Sequence, residues 1–331
     1  MSYPRIVHAV FHSPWAIQRA WLGTIFSLLH SRVFADGAKV ELPTEADAWR
    51  AEMAAARNGA MRRGHVSLQR FGKQGGRLVN HTARIHAKAL KQCGDSYTRY
   101  YQIVEEEEAA LPAGQIAHVF GSGVMGKHIS AMEELCAGGL SVDKIQMALK
   151  LVRDDEKCAG VMLHLDTPGG ISYGCAETAA LVRQLAESKV VGAFCDSMCC
   201  SAGYWATCLA DAYYLTPSAD VGSVGVYCAI IDYSEWCAKE GIKVDLIKDG
   251  THKGAGFPGT SLTPEQRALI EADVMECSRM FKADVRERRT KASDDTLQGQ
   301  SIGGQKAIEA GLADAMVNDL DAALSDLATT I

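Results

Sequence analysis

The chain has 331 residues, 47% of them apolar and 22% charged, which excludes a fibrous, collagen-like or wholly disordered protein. Its formal net charge of −6 is unevenly divided. Residues 1–104 hold 15 Lys and Arg against 6 Asp and Glu, whereas residues 105–331 hold 19 against 34, so a basic segment precedes an acidic one. Eleven cysteines without a secretory signal before them indicate reduced thiols and a cytoplasmic location.

The first 110 residues are predicted to form a basic, mainly helical arm, because they lack dense runs of β-branched residues. Helices are predicted over Trp15–Phe34, Glu45–Arg57 and His81–Gln92. The first has too many polar interruptions to span a membrane, and suits docking, oligomerisation or contact with a membrane surface. The acidic run Glu105–Glu108, followed by Leu-Pro-Ala-Gly, predicts a boundary between this arm, 1–110, and a second domain, 111–331.

From Gln115 onward, short apolar runs alternate with helical stretches, which is typical of βα units in an α/β fold. Strands are predicted at Ile116–Phe120, Gly160–Leu165, Val190–Cys195, Ala212–Leu215, Val224–Ile231 and Val244–Ile247. Helices are predicted at Ala131–Leu135, Ser141–Arg153, Tyr173–Ser188, Ala202–Ala210, from Thr263 to beyond Val285, and at Gly304–Ala310. Thr263 with Gln266 predicts a capping box, and Gly311 predicts a left-handed helix end.

Three loops of this second domain have residues suited to catalysis. The first, Asp166–Gly170, follows a predicted buried strand, and its sequence Asp-Thr-Pro-Gly-Gly fits either a tight turn or a set of main-chain N–H groups forming an oxyanion hole. The second holds Ser201 at a predicted helix start, where a serine is either a helix cap or an exposed nucleophile. No Gly-x-Ser-x-Gly elbow surrounds Ser201, which argues against an α/β-hydrolase triad.

The third loop, Asp249–Gly256, contains two candidate bases, His252 and Lys253. Burial of a lysine ammonium lowers its pKa, and the neutral amine can then take a proton from a serine hydroxyl. The local sequence does not decide between a solvated charge and a base, nor between these two residues.

Two other kinds of site are not supported by the sequence. Clustered cysteines at 195, 199, 200 and 208 lack the paired spacing of a zinc site, so buried thiols are the better interpretation and no metal is predicted. No Gly-Lys-Ser/Thr loop follows a strand, and no nucleotide or other cofactor is predicted.

Taken in order, these loops resemble the serine–lysine proteases of the signal peptide peptidase A family, and most closely its phage capsid-assembly (head maturation) branch. The likeness covers about residues 115–320. The matching blocks are Leu165–Gly170, Cys200–Trp205, Tyr214–Pro217 with Val221–Val226, Gly241–Val244 with Gly250–Lys253, and Ala307–Asp314.

The resemblance implies an α/β fold of the ClpP/crotonase type, a spiral of βα units, here with a helical N-terminal arm and C-terminal helices. It implies that Ser201 is the nucleophile, Lys253 the general base, and Ser223 a residue that orients the lysine amine. The backbone N–H groups of Gly170 and Ala202, with Gly169 as a substitute, match the oxyanion hole. Cys200, beside Ser201, is a weaker candidate nucleophile because no cationic partner is predicted for it.

The resulting hypothesis is a serine endopeptidase that processes phage or prophage scaffold or capsid proteins through an acyl-enzyme. It is expected to be a homo-oligomer in the bacterial cytoplasm or the procapsid, with no transmembrane anchor. The alternatives are signal-peptide-peptidase-like degradation of peptides, a non-catalytic ring-forming assembly protein, and a crotonase-like acyl-thioester enzyme. The basic arm could dock on the acidic domain, contact nucleic acid or be removed by self-cleavage.

Overall fold

A computed structural model describes residues 15–17, 66–74, 77–80, 114–129 and 138–331 of the chain. These residues form three sheets and the helices that cover them. The strands of four or more residues are β2 Val66–Gln74, β3 Arg77–Asn80, β4 Gln115–Ser122, β7 Cys158–Asp166, β9 Val190–Cys195 and β11 Ala212–Leu215. The shorter ones are β1 Trp15–Ile17, β5 Val124–Gly126, β6 Gly139–Ser141, β8 Gly169–Ile171, β10 Met198–Cys200, β12 Asp220–Gly222, β13 Ser301–Gly303 and β14 Ala315–Met316.

The α-helices alternate with the strands along the chain. They are α1 Val142–Asp154, α2 Cys175–Ala186, α3 Ala202–Thr207, α4 Ser234–Lys239, α5 Pro264–Arg288, α6 Gly304–Glu309 and α7 Leu320–Leu327. Short 3-10 turns lie at Asp295–Leu297 and Ala328–Thr330. None of the helices in these described ranges is long and apolar enough to cross a membrane.

A repeated unit of a long strand, a short strand and a helix builds the domain. Each of β4, β7, β9 and β11 runs in the large sheet and is followed within a few residues by a short strand, which belongs to one of the two smaller sheets. In the large sheet the described strands have the order β14-β11-β9-β7-β4-β2-β3, parallel from β14 to β4. This succession confirms the predicted α/β spiral of βα units.

Continuous apolar runs explain why the central strands are buried on both faces. In β7, the segment from Gly160 to Leu165 is buried, and helices α1 and α2 cover one side through residues such as Leu149 and Val182. On the opposite side, Met162 and Phe194 pack beneath Leu327 of α7. Helices therefore pack on both faces of the large sheet and fix the positions of its central strands.

Several predicted helix ends are confirmed in detail. Ser141 caps α1 by accepting a hydrogen bond from the Lys144 N–H, at 3.3 Å. Thr263 and Gln266 form the predicted capping box at the start of α5. Gly311 has a φ of 75°, the left-handed conformation expected of a residue after a helix end.

The prediction of an arm without strands is wrong at two places. Residues 66–80 form the hairpin β2–β3, and β2 pairs antiparallel with β4 along much of its length. Trp15–Ile17, predicted as the start of a helix, is strand β1 and pairs with β8. The pairing of β2 with β4 and that of β1 with β8 join segments far apart in the sequence, so neither follows from a local pattern. The helices predicted at Glu45–Arg57, His81–Gln92 and Ala131–Leu135 lie outside the described residues.

Two predicted strands, Val224–Ile231 and Val244–Ile247, are also wrong. Neither segment forms a strand, and the side chain of Ile247 is 95% exposed. Their β-branched residues satisfy the pattern of a strand, but the described sheets do not pair with them. The whole segment from Val224 to Leu262 lies outside the three sheets.

A buried histidine pair makes stability depend on pH. His118 on β4 and His164 on β7 share a hydrogen bond of 3.2 Å, and His164 also meets Asp196 at 2.9 Å. Burial, with a smaller contribution from His164, lowers the pKa of His118 to about 3. A histidine in the unfolded chain has a pKa of about 6.5. Below this pH the unfolded chain therefore binds a proton at His118 that the folded chain does not bind.

We therefore expect the free energy of unfolding to fall as the pH is lowered from about 6.5 to 4.5, by up to about 1.4 kcal/mol per pH unit. Urea unfolding across this range measures it. His118→Phe, which removes the titrating ring, should flatten the dependence. An equally steep dependence in that variant would contradict the assignment.

Candidate active site

The loops that follow β7 and β9 meet at one edge of the sheet, because both strands are parallel and end there. The Thr167 N–H donates to the Met198 carbonyl at 2.7 Å, and the Cys200 N–H donates to the Thr167 carbonyl at 3.0 Å. These two bonds join the Asp-Thr-Pro-Gly-Gly loop to the residues immediately before Ser201. The structure thus brings the first two candidate loops together.

Among the described residues, Ser201 is strained, buried and unpartnered, and it does not act as a helix cap. It precedes α3 with a φ of 55°, a conformation that a residue with a side chain adopts only at a cost of about 1–3 kcal/mol. Its side chain makes no capping bond, is buried, and its Oγ has no hydrogen-bond partner in the described part of the chain. A buried hydroxyl without a partner costs a further 1–3 kcal/mol or so, so this serine is not placed there for stability.

Ser223 lies beside Ser201. Strands β10 and β12 are parallel and end with Cys200 opposite Gly222. The residue that follows β10 is Ser201, and the residue that follows β12 is Ser223. The Ser201 N–H donates to the Gly222 carbonyl at 2.7 Å, and the Ser223 N–H donates to the Gln300 carbonyl at 2.8 Å. Ser223 also has a left-handed backbone, with a φ of 52°.

The three predicted oxyanion donors differ in availability. The Gly169 N–H donates to Thr167 Oγ1 at 3.1 Å, and is therefore already engaged. Ala202 is the first residue of α3, where an N–H group has no acceptor within its own helix. Gly170 follows in β8 against β5, where a Cβ would lie 2.0 Å from the Met125 carbonyl oxygen, so only glycine fits. Gly169 is therefore the weakest of the three candidates, and Gly170 lies in a strand that is paired on both sides.

Lys253 and His252 are not brought to Ser201. Both side chains are exposed in a series of turns from Thr251 to Gly256. The Lys253 N–H closes a turn onto the Gly250 carbonyl at 3.2 Å, and Gln266 of α5 anchors the loop by donating to the Thr251 carbonyl at 3.3 Å. Since Ser201 Oγ has no partner among the described residues, the lysine amine does not contact it in this structure.

The neighbouring cysteines are poor nucleophiles. Burial raises the pKa of Cys200 to about 12 and that of Cys199 to about 11, so both are thiols at neutral pH. The Cys200 Sγ also lies within hydrogen-bond distance of the Asp220 carbonyl and of Ser301 Oγ. Cys200 therefore packs beneath the serine turn.

Packing behind α3 fixes the serine turn. The Trp205 ring stacks on Phe281 of α5 at 4.8 Å, and its Nε1 donates to Asp284 at 2.7 Å. The Tyr204 hydroxyl donates to the Leu312 carbonyl at 2.7 Å. Both rings therefore pack in the hydrophobic core and do not line a binding groove in this structure.

Two contributions to the site have no signal in the sequence. The Gln300 carbonyl, which accepts from Ser223, comes from a loop almost 80 residues later. Strand β1 pairs with β8 at Gly169–Ile171, which includes two of the predicted oxyanion donors. Neither follows from a motif, because each depends on a backbone contact between distant segments.

Sequence comparison relates part of the chain to known proteins. Residues 183–330 match the model of Peptidase family S49. The chain is 29% identical over 231 residues to capsid assembly protease C of Escherichia phage lambda, a match that covers 69% of this chain and 50% of the phage protein. It is 31% identical over 198 residues to head-tail preconnector protein GP5 of Enterobacteria phage P21, covering 59% of this chain and 39% of that protein. The chain spans half or less of the length of these two relatives.

Similarity extends beyond phage proteins. The chain is 28% identical over 174 residues to a putative signal peptide peptidase SppA of Enterococcus faecium, which covers 50% of this chain and 49% of the relative. Among solved structures, an enoyl-CoA hydratase from Shewanella pealeana matches 67% of this chain and 76% of its own, with 12% identity and a TM-score of 0.38. Because this TM-score is low, the fold is assigned here from the strand order described above and not from this similarity. The match of residues 183–330 to the model of Peptidase family S49, together with these relatives, confirms the family resemblance predicted from the motifs.

Proposed function

We propose that the protein is a serine endopeptidase in which Ser201 is the nucleophile. The observation that carries this proposal is the strained, buried and unpartnered hydroxyl of Ser201 in the described part of the chain. Ser201 immediately precedes Ala202, and the residue before it, Cys200, is bonded to the loop that leads to Gly170. Attack of Oγ on a peptide carbonyl makes an oxyanion that the N–H groups of Gly170 and Ala202 would stabilise. The serine proton passes to a base and then to the leaving amine, which gives an acyl-enzyme that water hydrolyses.

Lys253 is the base we propose, with Ser223 orienting its amine. The exposed position of Lys253 requires the segment from Val224 to Leu262 to pack against another surface before the ammonium loses water and can act as a neutral amine. This segment and helix α5 carry many exposed apolar side chains: Ile231, Tyr233, Trp236, Ile242, Ile247, Phe257, Leu269, Met275 and Met280. A surface of this kind is typical of an interface, and we propose that a second copy of the chain covers it.

The names of the phage relatives support a role in head assembly. We propose that the substrates are scaffold or capsid proteins and that the enzyme works in the host cytoplasm or the procapsid. The division between an arm, 1–110, and a catalytic domain, 111–331, remains part of this proposal. So does nucleic-acid contact by the basic arm, although β2 and β3 of that arm belong to the large sheet.

Replacing each of the two candidate bases by alanine shows which of them acts in catalysis. Lys253→Ala is expected to lower kcat by about 10²–10⁴-fold, because a general base contributes that much, whereas His252→Ala should stay within a few-fold of the parent. Hydrolysis of unfolded casein, followed by mass spectrometry, measures both. The reverse order would show that His252 is the base.

Mixing Ser201→Ala with Lys253→Ala extends this test. If the lysine of one copy serves the serine of another, the mixture should regain part of the activity that each variant lacks. A mixture that stays inactive would show that each chain uses its own lysine.

A further inference from the structure

The edge of β8 next to the site is occupied by the chain's own N-terminal segment. Strand β8 pairs on one side with β5, where Met125 lies opposite Gly170, and on the other with β1. Strand β1 runs antiparallel to β8, with Trp15 opposite Ile171 and Ala16 opposite Gly170. Both edges of β8 are thus filled from within the chain.

This edge is where an extended peptide would reach the nucleophile. The loop that leads into β8 is bonded to β10 through Thr167, and β10 ends next to Ser201. A peptide binds to an open strand edge by adding a strand of its own through main-chain hydrogen bonds. A peptide that pairs with β8 must therefore replace β1.

The state of Ser201 is independent evidence that the site is closed. Its side chain is only 1% exposed, so a peptide carbonyl cannot approach Oγ until part of the surroundings moves. A pairing of three residues with β8 is short, and a longer peptide can compete with it. The pairing of β1 with β8 and the burial of Ser201 are therefore two features of the same closed state.

We propose that β1 is an internal occupant of the peptide-binding edge of β8, and that its displacement admits extended peptides that pair antiparallel with Gly169–Ile171. This inference rests on the proposed function, since it assigns the edge to the substrate of that site. It makes the N-terminal segment an autoinhibitory element, held in cis.

A binding experiment tests the proposal without catalysis. The probe is a fluorescent synthetic peptide of residues 12–20, HSPWAIQRA, added to the full-length Ser201→Ala chain with or without Ala16→Pro. Proline fixes φ near −65°, far from the value of about −140° in an antiparallel strand, and removes a backbone N–H, so Ala16→Pro should release β1 and tighten binding of the peptide by at least about tenfold. Ala16→Val, which keeps a strand-forming residue, is the matched control and should bind like the parent.

Equal affinity in the proline variant and the parent, or no binding to either, would overturn the proposal. Because Ser201 is absent from these chains, the result does not depend on cleavage. A protein that shows the tenfold difference yet never cleaves casein with Ser201 restored would refute the proposed function and leave this inference standing.

A second variant guards against misfolding of the first. Trp15 and Ile171 lie opposite each other, so cysteines at both positions can form a disulfide that locks β1 onto β8. We expect the oxidised Trp15→Cys/Ile171→Cys chain to exclude the peptide and the reduced chain to bind it like the parent. Equal binding before and after reduction would contradict the assignment.

Discussion

Ser201→Ala is expected to abolish cleavage of unfolded casein and any self-cleavage, with a loss of at least about 10⁴-fold, because it removes the oxygen that is proposed to attack the peptide carbonyl. The same variant should be slightly more stable than the parent. Its methyl group removes a buried hydroxyl that has no partner among the described residues, worth about 1 kcal/mol or more in the free energy of unfolding. Loss of activity with a gain in stability is characteristic of a residue kept for function.

Ser197→Ala is the matched control for this experiment. Ser197 lies four residues earlier in the turn between β9 and β10 and is exposed. Its replacement should leave both activity and stability near those of the parent. A Ser201→Ala protein that keeps full activity, or that loses activity together with several kcal/mol of stability, would contradict the assignment of Ser201.

Arg289→Ala is expected to cause the largest loss of stability, about 3 kcal/mol. The Arg289 guanidinium is buried at the end of α5, where its Nε donates to the Cys208 carbonyl at 3.0 Å and its other nitrogens bind the Ala210 carbonyl and the Asp314 carboxylate. Truncation leaves both carbonyl oxygens buried without these donors. Asp314 is half-exposed and can be hydrated, which keeps the expected loss at the lower end of the range for broken buried pairs.

Arg279→Ala on the exposed face of α5 is the comparison. Its ion pair with Glu276 is open to water, so its removal should change stability by less than about 0.5 kcal/mol. Urea unfolding of both variants measures the difference. Comparable stabilities for the Arg289 and Arg279 variants would show that the buried guanidinium does not hold α5 to the turn after α3.

The central part of the site could be predicted from sequence because it follows a simple rule of parallel sheets. The loops holding Gly170 and Ser201 each come after an apolar strand, and the carboxyl ends of parallel strands meet at one edge. The family resemblance added the roles of Ser223 and Lys253. Of these two, the structure places only Ser223 next to Ser201.

The features that could not be predicted depend on partners far away or outside the described chain. The β2–β3 hairpin has Arg, Lys and Gly among its residues and becomes a strand pair because β4 offers it a free edge. Strand β1 has only three residues, too few for any periodic pattern. The prediction of a strand at Val244–Ile247 was wrong for the opposite reason. Its sequence has the pattern of a strand, but none of the described strands pairs with it.

Labelling with a serine-directed acylating reagent tests the central claim most directly. The full-length protein and its Ser201→Ala variant would be incubated with the reagent, and intact-mass and peptide-mapping measurements would locate any adduct. We predict a single adduct on Ser201 in the parent and none in the variant. An adduct at another residue, or the absence of any Ser201 adduct in both the folded parent and the folded Ala16→Pro protein, in which β1 is expected to be released, would contradict the assignment of this serine as the nucleophile.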